Sequence, residues 1–515
     1  MSTSQIVILI AIGIYLMGMV IIGILYSKQN KNSDDFYLGG RKLGPFVTAM
    51  SAEASDMSGW LLMGLPAVAL MTGLPEAVWT AVGLAIGTYI NWLIVAKKLR
   101  VYTHKLNAFT LPDFFSKRFG DNKHLISTIA AVVIVVFFIP YTASGFAACG
   151  KLFASLFGME YVTAMILSAI VIIVYCTLGG FLAASTTDFI QSIVMSIALF
   201  IVVGLGEGVL NGFGNVFEGV TKLPGYLDLF KGFNVATGET MSYGALPVAS
   251  TLAWGLGYFG MPHILLRFMA IEDENKLKLS RRVASVWVVI SMAVAVLIGV
   301  VGYGLMMKGI VPTYESASAA ETIIVDISKF LSKYGYIPAF VAGIILAGIL
   351  ASTMSTADSQ LLAAASSISQ NLVQETFGIK LSEKKSVWLA RISVIVISII
   401  AIFLALDPKS SVFQIVSFAW AGFGAAFGPV VLFGLFWRRT TKWGAFAGML
   451  SGGAMVFIWK FVIRTTFAGT WLDIYELLPA FILACIVIVA VSLLTKAPEK
   501  EITDVYDELK AVKVN

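Results

Sequence analysis

The ten residues Ser51-Ala-Glu-Ala-Ser-Asp-Met-Ser-Gly-Trp60 place two carboxylates, Glu53 and Asp56, inside a run (45–74) that is otherwise apolar enough to cross a bilayer. A spanning helix needs about 20 mainly apolar residues, and a charge at that depth costs upward of roughly 2.5 kcal/mol. A lipid-facing Asp56 is therefore excluded. Two readings stay open for it and for Glu53: solvation at the inner end of the span, or burial against protein where the helix is interrupted. Lipid satisfies no backbone group, so an interrupted span must border protein or a cavity. Such spans are the strongest sequence pointers to a transport site.

The rest of the chain fits that frame. Of 515 residues, 58% are hydrophobic and 13% charged, against about 45–50% and about 25% in soluble domains. Apolar runs recur near 5–27, 45–74, 76–97, 125–155, 160–183, 187–211, 244–270, 283–308, 336–370, 388–406, 411–437, 442–465 and 472–495. They predict an all-α, multi-spanning membrane protein of about thirteen transmembrane helices, one transporter domain over 1–495 and a charged cytoplasmic tail over 496–515. The first run lacks a basic flank and a cleavage site, which predicts a retained helix. The gaps 212–243 and 309–335 hold Gly and Pro and predict short helices.

The net charge of +6 comes from lysines and arginines in alternate gaps. Lys28, Lys31, Arg41 and Lys42 follow the first run; Lys97, Lys98, Arg100, Lys105, Lys117, Arg118 and Lys123 follow the third. Later clusters are Lys276 to Arg282, Lys380 to Arg391, Arg438 to Lys442, and Lys496 to Lys513. Positive residues stay inside, so the N-terminus is expected outside and the C-terminus in the cytoplasm. This spacing reads as topology and not as a nucleic-acid footprint.

The seventh run carries Trp254-Gly-Leu-Gly-Tyr-Phe-Gly260, then Met261 and Pro262. Three glycines and a proline either break the helix or allow close helix packing. A break here would mirror the one near Asp56 with reversed polarity. Runs two to six (45–211) and seven to eleven (244–437) would then form an inverted repeat. In the ninth run Ser352, Ser355, Thr356 and Ser359 share one helical face, beside Asp358. Their hydroxyls suit a hard cation, or else bond their own helix backbone.

Other signals carry no chemistry. Gly145 to Lys151 has phosphate-loop spacing, but Leu152 stands where Ser or Thr is required and no strand precedes it. His104, His124 and His263 lack metal-ligand spacing and read as satisfied loop or core histidines. Cys149, Cys176 and Cys485 lie in apolar runs without paired spacing and read as small hydrophobes. No catalytic motif is present, so no enzyme activity is expected.

Several blocks together resemble the sodium/solute symporter family, and within it the sodium/proline symporters. They are Leu38 to Phe46, Ser55 to Pro66, Leu111 to Phe115, Gly179 to Ala183, Trp254 to Gly260 and Met354 to Thr356. The resemblance implies the leucine-transporter-like fold with a five-plus-five inverted repeat, in the plasma membrane, acting as a monomer. It implies sodium as coupling ion, bound by carbonyls of Ala54, Met57 and Ser352 and hydroxyls of Ser355 and Thr356. Asp56 matches a residue for tight sodium binding, and Arg41 and Asp188 match positions tied to coupling or release. Ser58 and Gly59 match residues for substrate affinity, with L-proline near Trp60, Tyr141, Trp254, Tyr258 and Pro262. Glu53 stands where the family pattern has Gly, a difference that bears on ion affinity or proton dependence. Ser352 stands where some members have Ala, and with Asp188, Ser355 and Thr356 it could form a second sodium site. A family member for pantothenate, a sialic acid or an osmolyte remains an alternative, as do an ion channel and a membrane sensor.

Overall fold

The computed structural model describes residues 1–27, 37–178 and 180–510. Lys28, Lys31, Gly179 and Lys513, invoked above for orientation and family pattern, lie outside the described residues. Among the described residues ten helices are long and apolar enough to cross a membrane, and a bent pair makes eleven.

Helix α1 (Thr3–Ser27) is followed by α2 (Pro45–Asp56) and α3 (Leu65–Thr72), the two halves of the bent span. Then α4 (Leu74–Ile90) continues through a π-turn (Asn91–Val95) to Lys105, longer than the apolar run suggested. A short α5 (Leu111–Phe119), α6 (Leu125–Phe157), α7 (Tyr161–Leu178) and α8 (Phe181–Leu210) follow. Polar residues near 181–187 belong to α8, so its span starts earlier than the sequence reading had it.

The gap 212–243 holds α9 (Phe213–Thr221) and an antiparallel hairpin, β1 (Lys231–Asn234) with β2 (Glu239–Ser242). The gap thus holds a short helix, as expected, and a hairpin besides, within an otherwise helical chain. The turn is set by Asn234, whose Oδ1 accepts from the amides of Ala236 and Thr237 (3.0 and 3.2 Å), and by Gly238 at positive φ, which costs glycine nothing.

Beyond it lie α10 (Ala245–Leu252), α11 (Pro262–Ala270) and α12 (Leu277–Met307), then α13 (Ile323–Leu331) in the second outer gap. The remaining spans are α14 (Tyr336–Ser366), α15 (Glu383–Leu404), α16 (Val412–Phe436), α17 (Lys442–Ile458) and α18 (Leu477–Leu494).

The tail forms α19 (Lys500–Lys510), which docks. Tyr506 is buried under the Arg118 guanidinium (5.1 Å), and Asp507 pairs with Arg438 (2.8 Å). Lys151, from the discarded phosphate-loop spacing, is a tether: its Nζ reaches Glu321 at 2.6 Å and the Ser410 carbonyl at 2.8 Å.

Helix α2 lies at the centre. It is packed by α8, α11, α12 and α14, and every residue from Thr48 to Asp56 is buried. The polar decapeptide thus faces protein on all sides, and the reading in which its carboxylates are solvated is excluded.

Candidate functional site

Two breaks build the site. At the first, α2 stops at Asp56 because Met57 leaves helical geometry (φ −77°, ψ 68°), and the chain resumes through Trp60–Gly64 at a 61° bend. The Ser55 hydroxyl bonds back to the Ala52 carbonyl (2.9 Å), and Pro66 brings no amide to the restart. Gly59 is fixed by space, since a β-carbon there would stand 2.8 Å from the Ala148 methyl.

At the second break, α10 tightens into a 3-10 stretch over Ala253–Phe259 before α11 begins at Pro262. Both readings of the glycines hold. The helix is interrupted, and each glycine also admits a neighbour: Gly255 meets the backbone of Gly83 and Gly87, Gly257 lies against the Trp420 indole, and Gly260 against the Phe423 carbonyl.

The first break faces α14. The Ser355 hydroxyl donates to the Ala54 carbonyl at 2.8 Å and is 3.2 Å from the Ser352 carbonyl, to which Thr356 Oγ1 also donates at 3.0 Å. Ala54, Ser352, Ser355 and Thr356 therefore bring four oxygens together between the broken helix and the continuous one. Ligands about 2.3–2.6 Å from a hard cation lie at such mutual spacings. Met57 is buried at the break one turn past Ala54. The hydroxyls also bond backbone, as the alternative reading had it; Ser352 Oγ donates to Ile349 O (2.8 Å).

Asp56 stands beside this cluster. Its Oδ2 accepts from the Tyr258 hydroxyl (2.7 Å), and its carbonyl accepts from the Tyr141 hydroxyl (3.1 Å) and the Trp60 indole (3.0 Å). Ser58 is buried next to it. Trp60, Tyr141 and Tyr258 thus converge on Asp56, and Trp254 lies against Trp60, with ring centres 6.1 Å apart. Pro262 opens α11.

Asp188 has a different setting. Its Oδ2 accepts from Arg267 (3.0 Å) and Ser51 (2.7 Å), both nearly inaccessible to solvent. Arg267 also reaches Ser51, Ser359 and the His263 carbonyl. The guanidinium supplies the counter-charge of Asp188. Arg41 is not beside the oxygens. It holds the Met269 carbonyl, at the C-terminal end of α11, and the Ala108 carbonyl (both 2.7 Å), and so contacts the element that carries Arg267 and Pro262.

The chain as a whole is similar to known proteins. A model of the sodium:solute symporter family matches residues 36–452. The chain belongs to that family. It is 44% identical over 508 residues to a sodium/proline symporter of Haemophilus influenzae, covering 97% of each chain. It is 42% identical over 507 residues to the sodium/proline symporter of Escherichia coli, covering 98% of this chain and 96% of that one. To the osmoregulated proline transporter OpuE of Bacillus subtilis it is 42% identical over 495 residues, covering 96% of each.

Among solved structures, a substrate-bound, outward-open Na+-coupled sialic acid symporter superposes with a TM-score of 0.78 at 17% identity, over 96% of this chain and 98% of that one. A nucleobase-cation-symport-1 family transporter gives 0.56 at 12%, over 93% and 99%. Family and relatives are transporters, and the solved structures establish the shared fold.

The candidate site contains residues that the sequence does not mark. Arg267 lies at the end of an apolar run near a basic gap and reads there as an ordinary flanking cation. Phe413, Trp420 and Tyr475 all pack on Trp254, with ring centres at 5.3, 6.3 and 5.2 Å; nothing local distinguishes them from core aromatics. His263 departs from the expectation of a satisfied histidine, because both its ring nitrogens are buried without a partner among the described residues.

Proposed function

We propose that this chain is a sodium-coupled symporter that imports L-proline across the plasma membrane by alternating access. The observation that carries the ion half is the 2.8 Å contact from Ser355 Oγ to the Ala54 carbonyl, which joins the interrupted helix to the continuous one. A sodium ion inserted there, with Met57, Ser352 and Thr356 completing its shell, would pull α2 and α14 together and order the break at Asp56. The solute half is supported by relatives 42–44% identical that are named for proline, and by the aromatic enclosure. Proline's ring would pack among Trp60, Tyr141, Trp254 and Tyr258 beside Pro262. Its carboxylate would meet free amides at a half-helix N-terminus near Ser58 and Gly59. Arg41 and Asp188, linked through α11 and Arg267, would transmit ion binding to the inner gate.

The same reading holds thirteen spans: the ten long helices, the bent pair α2–α3, the shorter α7, and the interrupted α10–α11. Repeat one runs over 45–211 and repeat two over 244–437, within one domain to 495. The N-terminus lies outside, the tail over 496–515 is cytoplasmic, and the monomer transports. Each sodium driven inward across 100 mV supplies about 2.3 kcal/mol, roughly fifty-fold accumulation.

Reconstituted protein should accumulate labelled proline only under an inward sodium gradient, with pantothenate, sialic acid and betaine failing to compete. Equal uptake without sodium, or displacement by one of those solutes, removes the proposal.

A further inference from the structure

Glu53, where the family pattern has Gly, lies three residues before Asp56 on α2. Residues so spaced share a helix face, about 5–6 Å apart at Cβ. That face is not the one on which Ala54 meets Ser355; it looks onto α4 and the 3-10 stretch. Glu53 Oε1 accepts from the Trp92 indole (2.8 Å), and Asp56 Oδ2 from the Tyr258 hydroxyl (2.7 Å). Asn91, next to Trp92, donates its amide to the Tyr258 carbonyl (3.0 Å). Thr88, one turn before Asn91 and Trp92, stands beside the Tyr258 hydroxyl. These contacts close a ring: Glu53, Trp92 and Asn91, Tyr258, Asp56 and back to Glu53.

Within that ring three oxygens lack any partner among the described residues, Glu53 Oε2, Asp56 Oδ1 and Asn91 Oδ1, and Thr88 Oγ1 has only the Tyr258 hydroxyl beside it. All four residues are fully buried. Buried polar atoms are ordinarily bonded, so three together indicate something that belongs between them. The groups acting electrostatically on the two carboxylates, among the described residues, include no lysine or arginine. The buried cation on α11, Arg267, is taken by Asp188, Ser51, Ser359 and His263.

We propose that the Glu53 and Asp56 carboxylates, with the Thr88 hydroxyl and the Asn91 amide oxygen, bind a second monovalent cation. A cation between the carboxylates turns their mutual repulsion into attraction, most effectively where water is absent. Each carboxylate has one oxygen to give, because Trp92 and Tyr258 hold the other. Four oxygens fall short of the six to eight that calcium takes, and a dry site denies magnesium its waters. No three His, Cys, Asp or Glu side chains converge among the described residues, which excludes the usual transition-metal sets. Ala54 and Glu53 being adjacent, the two ions would grip opposite sides of one helix. This inference rests on the sodium-coupled reading and adds a second coupling ion to it.

The test is the initial rate of labelled-proline uptake into proteoliposomes as external sodium chloride is raised against choline chloride, at clamped potential, for wild type, Glu53→Gln and Thr88→Val. A Hill slope rises up to the number of sites, so wild type should approach about 2 and both variants about 1. Gln keeps an acceptor for Trp92, and Thr88→Val keeps both carboxylates, so a folding failure of one variant leaves the other to decide. A wild-type slope of 1 that neither variant alters overturns the second site while leaving sodium–proline symport intact. Uptake that follows a pH gradient, with a sodium slope of 1, overturns it equally. Uptake indifferent to sodium fails the reading beneath both.

Discussion

Replacing Arg267 with Met should unfold the protein at markedly lower temperature, and a second substitution at Asp188 should restore part of the loss. The guanidinium is 1% exposed and the carboxylate fully buried, 3.0 Å apart. Removing one member of such a pair costs about 3–5 kcal/mol, because the other charge is stranded without water, whereas an apolar replacement of both is often close to neutral. The two single variants should differ. Asp188→Leu leaves the guanidinium with Ser51, Ser359 and the His263 carbonyl, which places its cost near the lower bound. Arg267→Met leaves Asp188 only Ser51, with its other oxygen already unpartnered, which places its cost near the upper bound. The double variant should then lie about 2 kcal/mol or more above the sum of the singles. A thiol-reactive dye provides the assay, since Cys149 is buried and Cys176 and Cys485 are partly covered, so heating reveals them. Singles that are mild and simply additive in the double would refute the account of this pair as a desolvated charge couple.

Ser355→Ala and Thr356→Ala each remove an oxygen from the proposed ion shell and should raise the sodium concentration for half-maximal proline uptake about tenfold, the scale of about 1.4 kcal/mol for one good ligand; an unchanged sodium curve contradicts the assignment. Gly257→Ala drives a methyl into the Trp420 indole and should cost about 1–3 kcal/mol of stability together with uptake, read by the same dye assay; a fully stable, active variant would mean that the 3-10 stretch can shift. The hydrogen bond from Arg438 holds the Asp507 carboxyl below the ordinary carboxylate range. A lowered value stabilises docking above that range, and the contribution is lost as pH falls from it through the lowered value of the docked carboxyl, so protease cleavage after Lys500 or Lys510 should accelerate only in acid. Arg438→Gln should abolish that pH dependence.

Why part of the site was legible follows from where its information lies. The break at Met57 was readable because serines, a glycine and a carboxylate within one apolar span conflict locally with a lipid-facing helix. The Ser352, Ser355 and Thr356 face was readable because helical period is a property of neighbours in sequence. The glycines of 255–260 were readable as special but not as to purpose, since close approach to Gly83, Gly87 and Trp420 depends on distant segments. The same distance hid Arg267, whose partner lies 79 residues away, and the Trp92 indole that holds Glu53. The hairpin over 231–242 was missed because short strands outside the spans leave only a turn signal, Asn234 with Gly238, against a background of loop residues.

Symport itself is tested most directly by reversing the roles of the two solutes. Proteoliposomes at zero potential, with equal sodium on both sides, are given an inward proline gradient, and entry of radioactive sodium is followed. The proposed ion shell between α2 and α14, beside the amino acid, requires that proline pull sodium inward until its concentration inside exceeds that outside. Proline entry without net sodium movement would contradict the account.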